Sequence, residues 1–349
     1  MPFNQILHCV QYDSLALMSF PLPLLEGVPA RAREAHFSLI MEGVPAGEGG
    51  FSPFFYYLRI MKKILVTGAN GFVGSRFVAR WRNEYSMLTP SHAELDITDY
   101  ASVSSYFVQH SPDVVVHLAA LSNTGYCELH EDESYRVNVE GASNIARASA
   151  MCGAKMIFFS SDQVYNGNYE SGLLTEDIPV APENIYGKHK LEAEERVLAF
   201  CPGAVVLRAT WMYDKERAGM PTHSNFVINI SRAIKERTPL IFPVREYRGI
   251  TWVREVVEFL PQTFKLPMGT YNYGAENDMN TYETACCYCE MLAGLQAGPL
   301  LYPDYDRYPV HERNLSISAD KIFRVSGGTI CFSNTVSGLR LFAEIGSEV

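Results

Sequence analysis

From Met61 onward, short unbroken apolar runs alternate with longer amphipathic stretches. Residues 64–67, 114–118, 156–160 and 205–208 are continuous and unalternating, whereas residues 76–83, 135–151 and 186–200 carry apolar positions at helical spacing. Continuous runs of this length predict strands covered on both faces, and the βα alternation predicts a parallel sheet with helices on each side. A doubly wound sheet of this kind binds ligands in the crevice at the carboxyl ends of its strands.

The first sixty residues read differently. They lack sustained periodicity and are interrupted by prolines at 2, 21, 23, 29, 45 and 53. The apolar stretch 15–25 follows Asp13, has no basic flank, contains Pro21 and Pro23, and is too short to span a bilayer. The segment 26–30 recurs once, at 42–46, which is too few copies for a solenoid. Residues 1–60 are therefore expected to be an extension, flexible or not native, with Met61 as the functional start.

The whole chain of 349 residues is 47% hydrophobic and 19% charged, enough to bury a large core. Its 29 Lys+Arg against 39 Asp+Glu leave a net charge of −10, which disfavours nucleic acid or an anionic membrane as partner and favours a small ligand. Eight scattered cysteines fit a reducing compartment, so the expected location is cytoplasmic.

The first predicted strand runs into Gly68-Ala-Asn70-Gly71-Phe72-Val73-Gly74, a G-x-x-G-x-x-G turn opening a helix. Gly68 allows a tight turn, Gly71 lets a diphosphate approach the backbone, and Gly74 lets helix and strand pack closely. Asn70, Phe72 and Val73 complete this cofactor-binding turn, and the fold class is a Rossmann-type doubly wound α/β sheet with a smaller α/β substrate-binding domain. The dinucleotide domain is expected at 61–213 plus about 240–275, and the substrate domain at about 214–239 plus 276–349. Where a site preferring NAD carries a carboxylate, this chain reads Thr89-Pro90-Ser91-His92. The cofactor expected is NADPH, with NADH open; Ser91 or His92 could meet a 2′-phosphate, and Asp96 and Ile97 would sit beside the adenine.

Tyr186 and Lys190 lie four apart at the start of a helical pattern and share a face. Ser161, 25 residues before Tyr186, ends a buried strand and delivers a hydroxyl to the same crevice. A phenol with a free pKa of about 10 is a poor acid or base near neutrality, but an adjacent ammonium can tune it. Ser161 can then orient a carbonyl while Tyr186 protonates its oxygen. Asn138 is a candidate to hold a water relay behind the lysine, with a structural role as the alternative.

The turn at 67–74, Val116-His-Leu-Ala119-Ala120, Asn138-Val-Glu-Gly, Ser161 and the Tyr186/Lys190 pair together resemble the extended short-chain dehydrogenase/reductase superfamily over roughly residues 61–213. Leu95-Asp-Ile-Thr-Asp99, the segment 160–167 and Arg208-Ala-Thr-Trp211 are similar to its dTDP-4-dehydrorhamnose reductase-like branch; segments 247–252 and 313–321 match more loosely. The resemblance implies reduction of the C4 carbonyl of a nucleotide-linked 4-keto-6-deoxyhexose by NAD(P)H. It implies that Ser161, Tyr186 and Lys190 are catalytic, that Ala119 and Ala120 line the nicotinamide, and that Trp211 faces the sugar, with Asp162 and Arg248 as further substrate residues. The chain departs from the branch at Ser161 (usually Thr), Asn166 (Asp), Asp214 (Gly) and Asn314 (Pro), the last bearing on the substrate pocket.

Other chemistries fit less well. The dehydratases of the superfamily use Thr-Asp-Glu where this chain has Ser161-Asp162-Gln163, and Gln163 cannot act as a base. An epimerase with retained NAD, or a non-catalytic regulatory subunit like that of methionine adenosyltransferase, are the alternatives. Cys286, Cys287 and Cys289 lack a fourth ligand and are expected to pack within a helix over 281–295; no metal is expected. His117 and His189 are read as satisfied structural residues, and segment 302–309 as a packed loop. Helix 135–151 and the Tyr186 helix could form a homodimer face.

Overall fold

A computed structural model describes residues 61–292 and 300–346; the expectations for residues 1–60 lie outside them. A six-stranded sheet runs in the order β10-β5-β4-β3-β1-β2, with every pair parallel. Its strands are β1 (Lys63–Thr67), β2 (Ser86–Leu88), β3 (Val114–His117), β4 (Lys155–Ser161), β5 (Val205–Ala209) and β10 (Gly269–Tyr273). The connecting helices include α1 (Phe72–Trp81), α2 (Tyr100–His110), α3 (Thr124–Leu129), α4 (Glu131–Tyr135), α5 (Ala142–Cys152) and α6 (Ile185–Phe200).

Side chains of a strand alternate between faces, and here both faces are apolar. Ile64 and Val66, Val114 and Val116, Ile157 and Phe159, and Val205 and Leu207 enter one core with Phe77 of α1. Leu65, Val115, Met156, Phe158 and Val206 enter the other, with Phe107 of α2, Ile145 of α5 and Val197 of α6. This two-sided burial is why the strands read as continuous apolar runs, and the four predicted ones are found within a residue of their expected ends.

Three parallel two-stranded ribbons lie outside the main sheet. They pair β6 (Trp211–Tyr213) with β9 (Ile250–Trp252), β7 (Leu240–Pro243) with β11 (Leu301–Asp304), and β8 (Glu246–Arg248) with β12 (Arg313–Leu315). Between them run α7 (Phe226–Glu236), α8 (Val253–Phe259) and α9 (Thr281–Met291), followed by α10 (Asp320–Val325) and α11 (Thr335–Gly346). Cys289 on α9 is buried in the core and Cys286 packs against it.

Two expectations need correction. The segment read as a loop over 302–309 begins as strand β11; Pro303 is tolerated because a two-stranded ribbon leaves one edge without a hydrogen-bonding demand. The single helix expected over 135–151 is three pieces, since α4 and α5 are separated by a π-helical turn, Arg136–Gly141, which carries Asn138. At the end of this turn a Cβ at Gly141 would stand 2.8 Å from Ile97 Cδ1, so glycine there lets Ile97 pack against the backbone.

Beneath the strand ends a buried polar network crosses the sheet. Arg208 of β5 grips Glu194 of α6 (Nη2–Oε2 2.8 Å) and donates to the Tyr165 phenol at 2.9 Å; that phenol donates to Asn272 Oδ1 of β10 at 2.8 Å. Ser160 donates to the same Glu194 carboxylate. Removing one member of a buried pair leaves an uncompensated charge. Arg208→Met is expected to destabilise the fold by about 3–5 kcal/mol in urea unfolding, and the Arg208→Met/Glu194→Leu double variant to recover most of that loss; equal destabilisation by single and double variants would refute the coupling.

Candidate functional site

The glycine turn is shaped by contacts that admit no side chain. Gly68 adopts φ +70°, and a Cβ there would lie 2.8 Å from the Ala119 nitrogen at the end of β3. A Cβ at Gly74 would lie 2.2 Å from the Gly68 carbonyl oxygen, so glycine alone lets α1 settle onto the turn. Gly71 caps α1 with no side-chain hydrogen bond, and the first turn holds no acidic residue. Its N–H groups are therefore available to an anion at the positive end of the helix dipole. Asn70 and Gly71 are exposed, Phe72 is half-buried and Val73 is buried. The turn fits the diphosphate of a dinucleotide.

Past the end of β2, the Ser91 N–H and hydroxyl both donate to Glu94, at 2.7 and 2.8 Å. The Ser91 hydroxyl hydrogen offered by the sequence to a 2′-phosphate is thus engaged by a carboxylate, while His92 is exposed with Nε2 3.9 Å from Asp96 Oδ1. Asp96 accepts from the Thr98 hydroxyl and N–H, which hold its carboxyl pKa low. Ile97 is buried against the π-helical turn.

Asn138 clamps the chain after β3, where Ala119 and Ala120 lie. Its Oδ1 accepts from the Leu121 N–H at 2.9 Å, and its Nδ2 donates to the Leu121 carbonyl at 3.0 Å and the Ser134 hydroxyl at 3.1 Å. Both amide hydrogens are engaged, so in this arrangement the Asn138 side chain has none to offer the water relay expected of it. The Ser134 hydroxyl meets His189 Nδ1 at 2.9 Å. His117 is only half satisfied, contrary to expectation: Nδ1 meets the Thr67 hydroxyl at 2.7 Å, while the buried Nε2 has no partner. Burial foremost, with Lys190 adding to it, drives the His117 pKa down to about 3.

Ser161 ends β4 and caps the 3-10 turn Asp162–Tyr165; its hydroxyl accepts from the Gln163 N–H and donates to Asp162 Oδ1, both at 3.2 Å. Asn184 caps α6, placing Tyr186 in the first turn and Lys190 one turn further. Tyr186 is buried, and its phenol pKa is pushed well up by desolvation and then by the Asp162 carboxylate, a hydrogen bond with Ser161 opposing the rise. The group therefore holds its proton near neutrality, as a donor must. Lys190 Nζ donates to the Phe159 carbonyl at 2.6 Å and lies over the Phe158 ring. Its pKa is lowered to about 8 by burial, with Glu194 opposing.

The substrate-side residues meet these from the ribbons. Arg248 of β8 pairs with Asp162 (Nη2–Oδ2 2.9 Å) and lies 5.0 Å from the Trp211 ring centroid, so the three expected substrate residues are brought together. Sequence reasoning missed their neighbours. Arg313 Nη2 donates to Gln163 Oε1 at 3.0 Å and Nε to Asn166 at 2.9 Å, and Nη1 engages Glu246 and, at 3.4 Å, the Tyr308 phenol. Gln163 Oε1 also accepts from Asn184 at 2.9 Å. The available signal was the alternation in Glu246-Tyr247-Arg248, which turns both charged residues of β8 to one face.

A parallel sheet with a glycine turn after β1, a hydroxyl at the carboxyl end of β4 and a Tyr–Lys helix packed against it has the architecture of the short-chain dehydrogenase/reductase class. The chain belongs to the family described as RmlD substrate binding domain, whose model matches residues 61–309. It is 28% identical over 235 residues to dTDP-4-dehydrorhamnose reductase of Aggregatibacter actinomycetemcomitans, covering 64% of this chain and 77% of that one. It is 29% identical over 240 residues to methionine adenosyltransferase 2 subunit beta of Bos taurus, covering 64% and 70%. The crystal structure of dTDP-4-dehydrorhamnose reductase from Bacillus anthracis in complex with NADP shares its fold, with a TM-score of 0.70 at 24% identity over 81% of this chain and 99% of that one.

A lysine whose folded pKa of about 8 lies below its free value of 10.5 destabilises the fold while charged, and that penalty is relieved as pH rises between the two values. Wild type is thus expected to gain stability relative to Lys190→Met from about pH 8 toward 10.5, read as the difference in urea midpoints. A difference that does not change with pH would refute the assignment.

Proposed function

We propose that the protein reduces the C4 carbonyl of a nucleotide-linked 4-keto-6-deoxyhexose, using NADPH or NADH. The observation that carries this reading is the convergence of Ser161, the protonated Tyr186 phenol and buried Lys190 beside a glycine turn fitted to a diphosphate. The nicotinamide, when bound, supplies the hydride. Ser161, turning its hydroxyl hydrogen from Asp162 to the substrate, hydrogen-bonds the carbonyl oxygen and holds it toward Tyr186, which gives that oxygen its proton. Lys190 keeps positive charge at the site while Tyr186 becomes phenolate. Ala119 and Ala120 wall the nicotinamide, kept in place by the Asn138 clamp, and Asp96 and Ile97 flank the adenine. Trp211, Asp162 and Arg248 receive the sugar. In this reading residues 61–213 plus about 240–275 form the dinucleotide domain, and about 214–239 plus 276–349 the substrate domain.

Likeness to a methionine adenosyltransferase subunit favours a second reading, a dinucleotide-binding regulatory subunit. The two are separated by nicotinamide absorbance during incubation with NADPH or NADH and dTDP-4-keto-6-deoxy-L-mannose. Turnover is expected from wild type, and Tyr186→Phe is expected to lose about 10²–10⁴ in rate with its cofactor affinity retained. Cofactor binding without oxidation would sink the reductase and leave the regulatory subunit.

A further inference from the structure

Asp214, just beyond β6, has a fully buried side chain (0% exposed). Its Oδ2 accepts from Arg76 Nε at 2.7 Å and Arg217 Nε at 2.9 Å, and its Oδ1 from Trp252 Nε1 at 3.3 Å and Arg217 Nη2 at 3.4 Å. Arg76 belongs to α1, the helix opened by the glycine turn. Its Nη1 donates to the Phe72 carbonyl at 2.9 Å and the Pro221 carbonyl at 3.1 Å, its guanidinium lies 4.1 Å from the Phe72 ring centroid, and its Nη2 is buried without a partner. The His223 ring meets Phe72 near edge-on, with centroids 4.3 Å apart. Residues 214–223 are thereby folded back against the first turn of α1, the turn whose N–H groups are free for an anion.

We propose that segment 214–223 forms the outer wall of the cofactor's diphosphate site, with His223 as a ligand of the diphosphate and Asp214 as the positioning residue that holds the wall through Arg76 and Arg217. The inference rests on the dinucleotide part of the reading above and is independent of the sugar. The glycine turn offers an anion only backbone N–H groups; an imidazole packed on Phe72 in the first turn of α1 adds a side-chain donor within the same wall. The ring is open to solvent on one side; partial desolvation on the side packed against its neighbours, with Arg76 close by, moves the His223 pKa below its ordinary value, and an imidazole N–H can donate to a phosphate oxygen. Asp214 gives the wall its anchor, because a buried carboxylate keeps the cations that satisfy it in one geometry.

The test is the equilibrium affinity of the full chain for NADPH, ADP-ribose and adenosine by isothermal titration. His223 is exposed, so His223→Ala is expected to fold and to weaken NADPH and ADP-ribose by about tenfold, the scale of a hydrogen bond to a charged group. Adenosine, which lacks the diphosphate, is expected to bind all variants alike, and His223→Gln, which keeps an N–H donor, to retain most of the affinity. Asp214→Asn is expected to weaken the same two ligands; should it not fold, Arg217→Gln at the exposed partner is expected to lose about threefold. Unchanged ADP-ribose affinity in His223→Ala, or an equal loss for adenosine, overturns His223 as a ligand. Unchanged affinity in Asp214→Asn, or in Arg217→Gln where that variant stands in, overturns Asp214 as the positioning residue. Wild type that binds NADPH but turns over no nucleotide sugar fails the proposed reaction and leaves this inference standing; wild type that binds no dinucleotide overturns both.

Discussion

The close approach of backbone to backbone at Gly68 and Gly74 is the constraint on which the rest depends. With the Gly68 carbonyl 2.2 Å from where a Gly74 Cβ would be, any side chain at 74 would push α1 off the sheet. The axis of α1 decides where its uncapped N-terminus points and where Arg76 reaches, and hence which carboxylate it meets. One steric condition thus sets both the anion site and its packing against residues 214–223.

A second layer of order comes from buried polar groups satisfied across long sequence separations. Arg208, Glu194, Tyr165 and Asn272 come from β5, α6, the turn after β4 and β10, and together tie the strand that carries Ser161 to the helix that carries Tyr186. Such a network tolerates few alternative arrangements, because each unpaired member would be desolvated without compensation. Ser161, Tyr186 and Lys190 are thereby mounted on packed elements, and burial keeps the Tyr186 phenol protonated and lowers the pKa of the Lys190 ammonium.

Much of this was legible in the residues because it obeys short periods. Strands 64–67 and 205–208 announce two-sided burial by unbroken apolar runs, the glycines at 68, 71 and 74 specify a turn by spacing alone, and Tyr186 and Lys190 share a face by helical geometry. The π-helical turn at Asn138 and the strand at Leu301 were not legible. The strand depends on a ribbon partner sixty residues away and the π-helical turn packs its Gly141 against distant Ile97, neither of which local preference encodes, whereas the Ser91–Glu94 contact is a local Ser-x-x-Glu pattern that sequence reasoning missed.

The sequence by itself determined four strands of the sheet, the glycine turn and the pairing of Tyr186 with Lys190 on one helix face, because these depend on periodicity and on residue types at fixed local spacing. Only the tertiary structure decided which polar group each buried charge met. Arg76 with Asp214, Asp162 with Arg248 and Gln163 with Arg313 are separated by 138, 86 and 150 residues. A buried charge must be satisfied, but which distant group satisfies it follows only from how the elements pack.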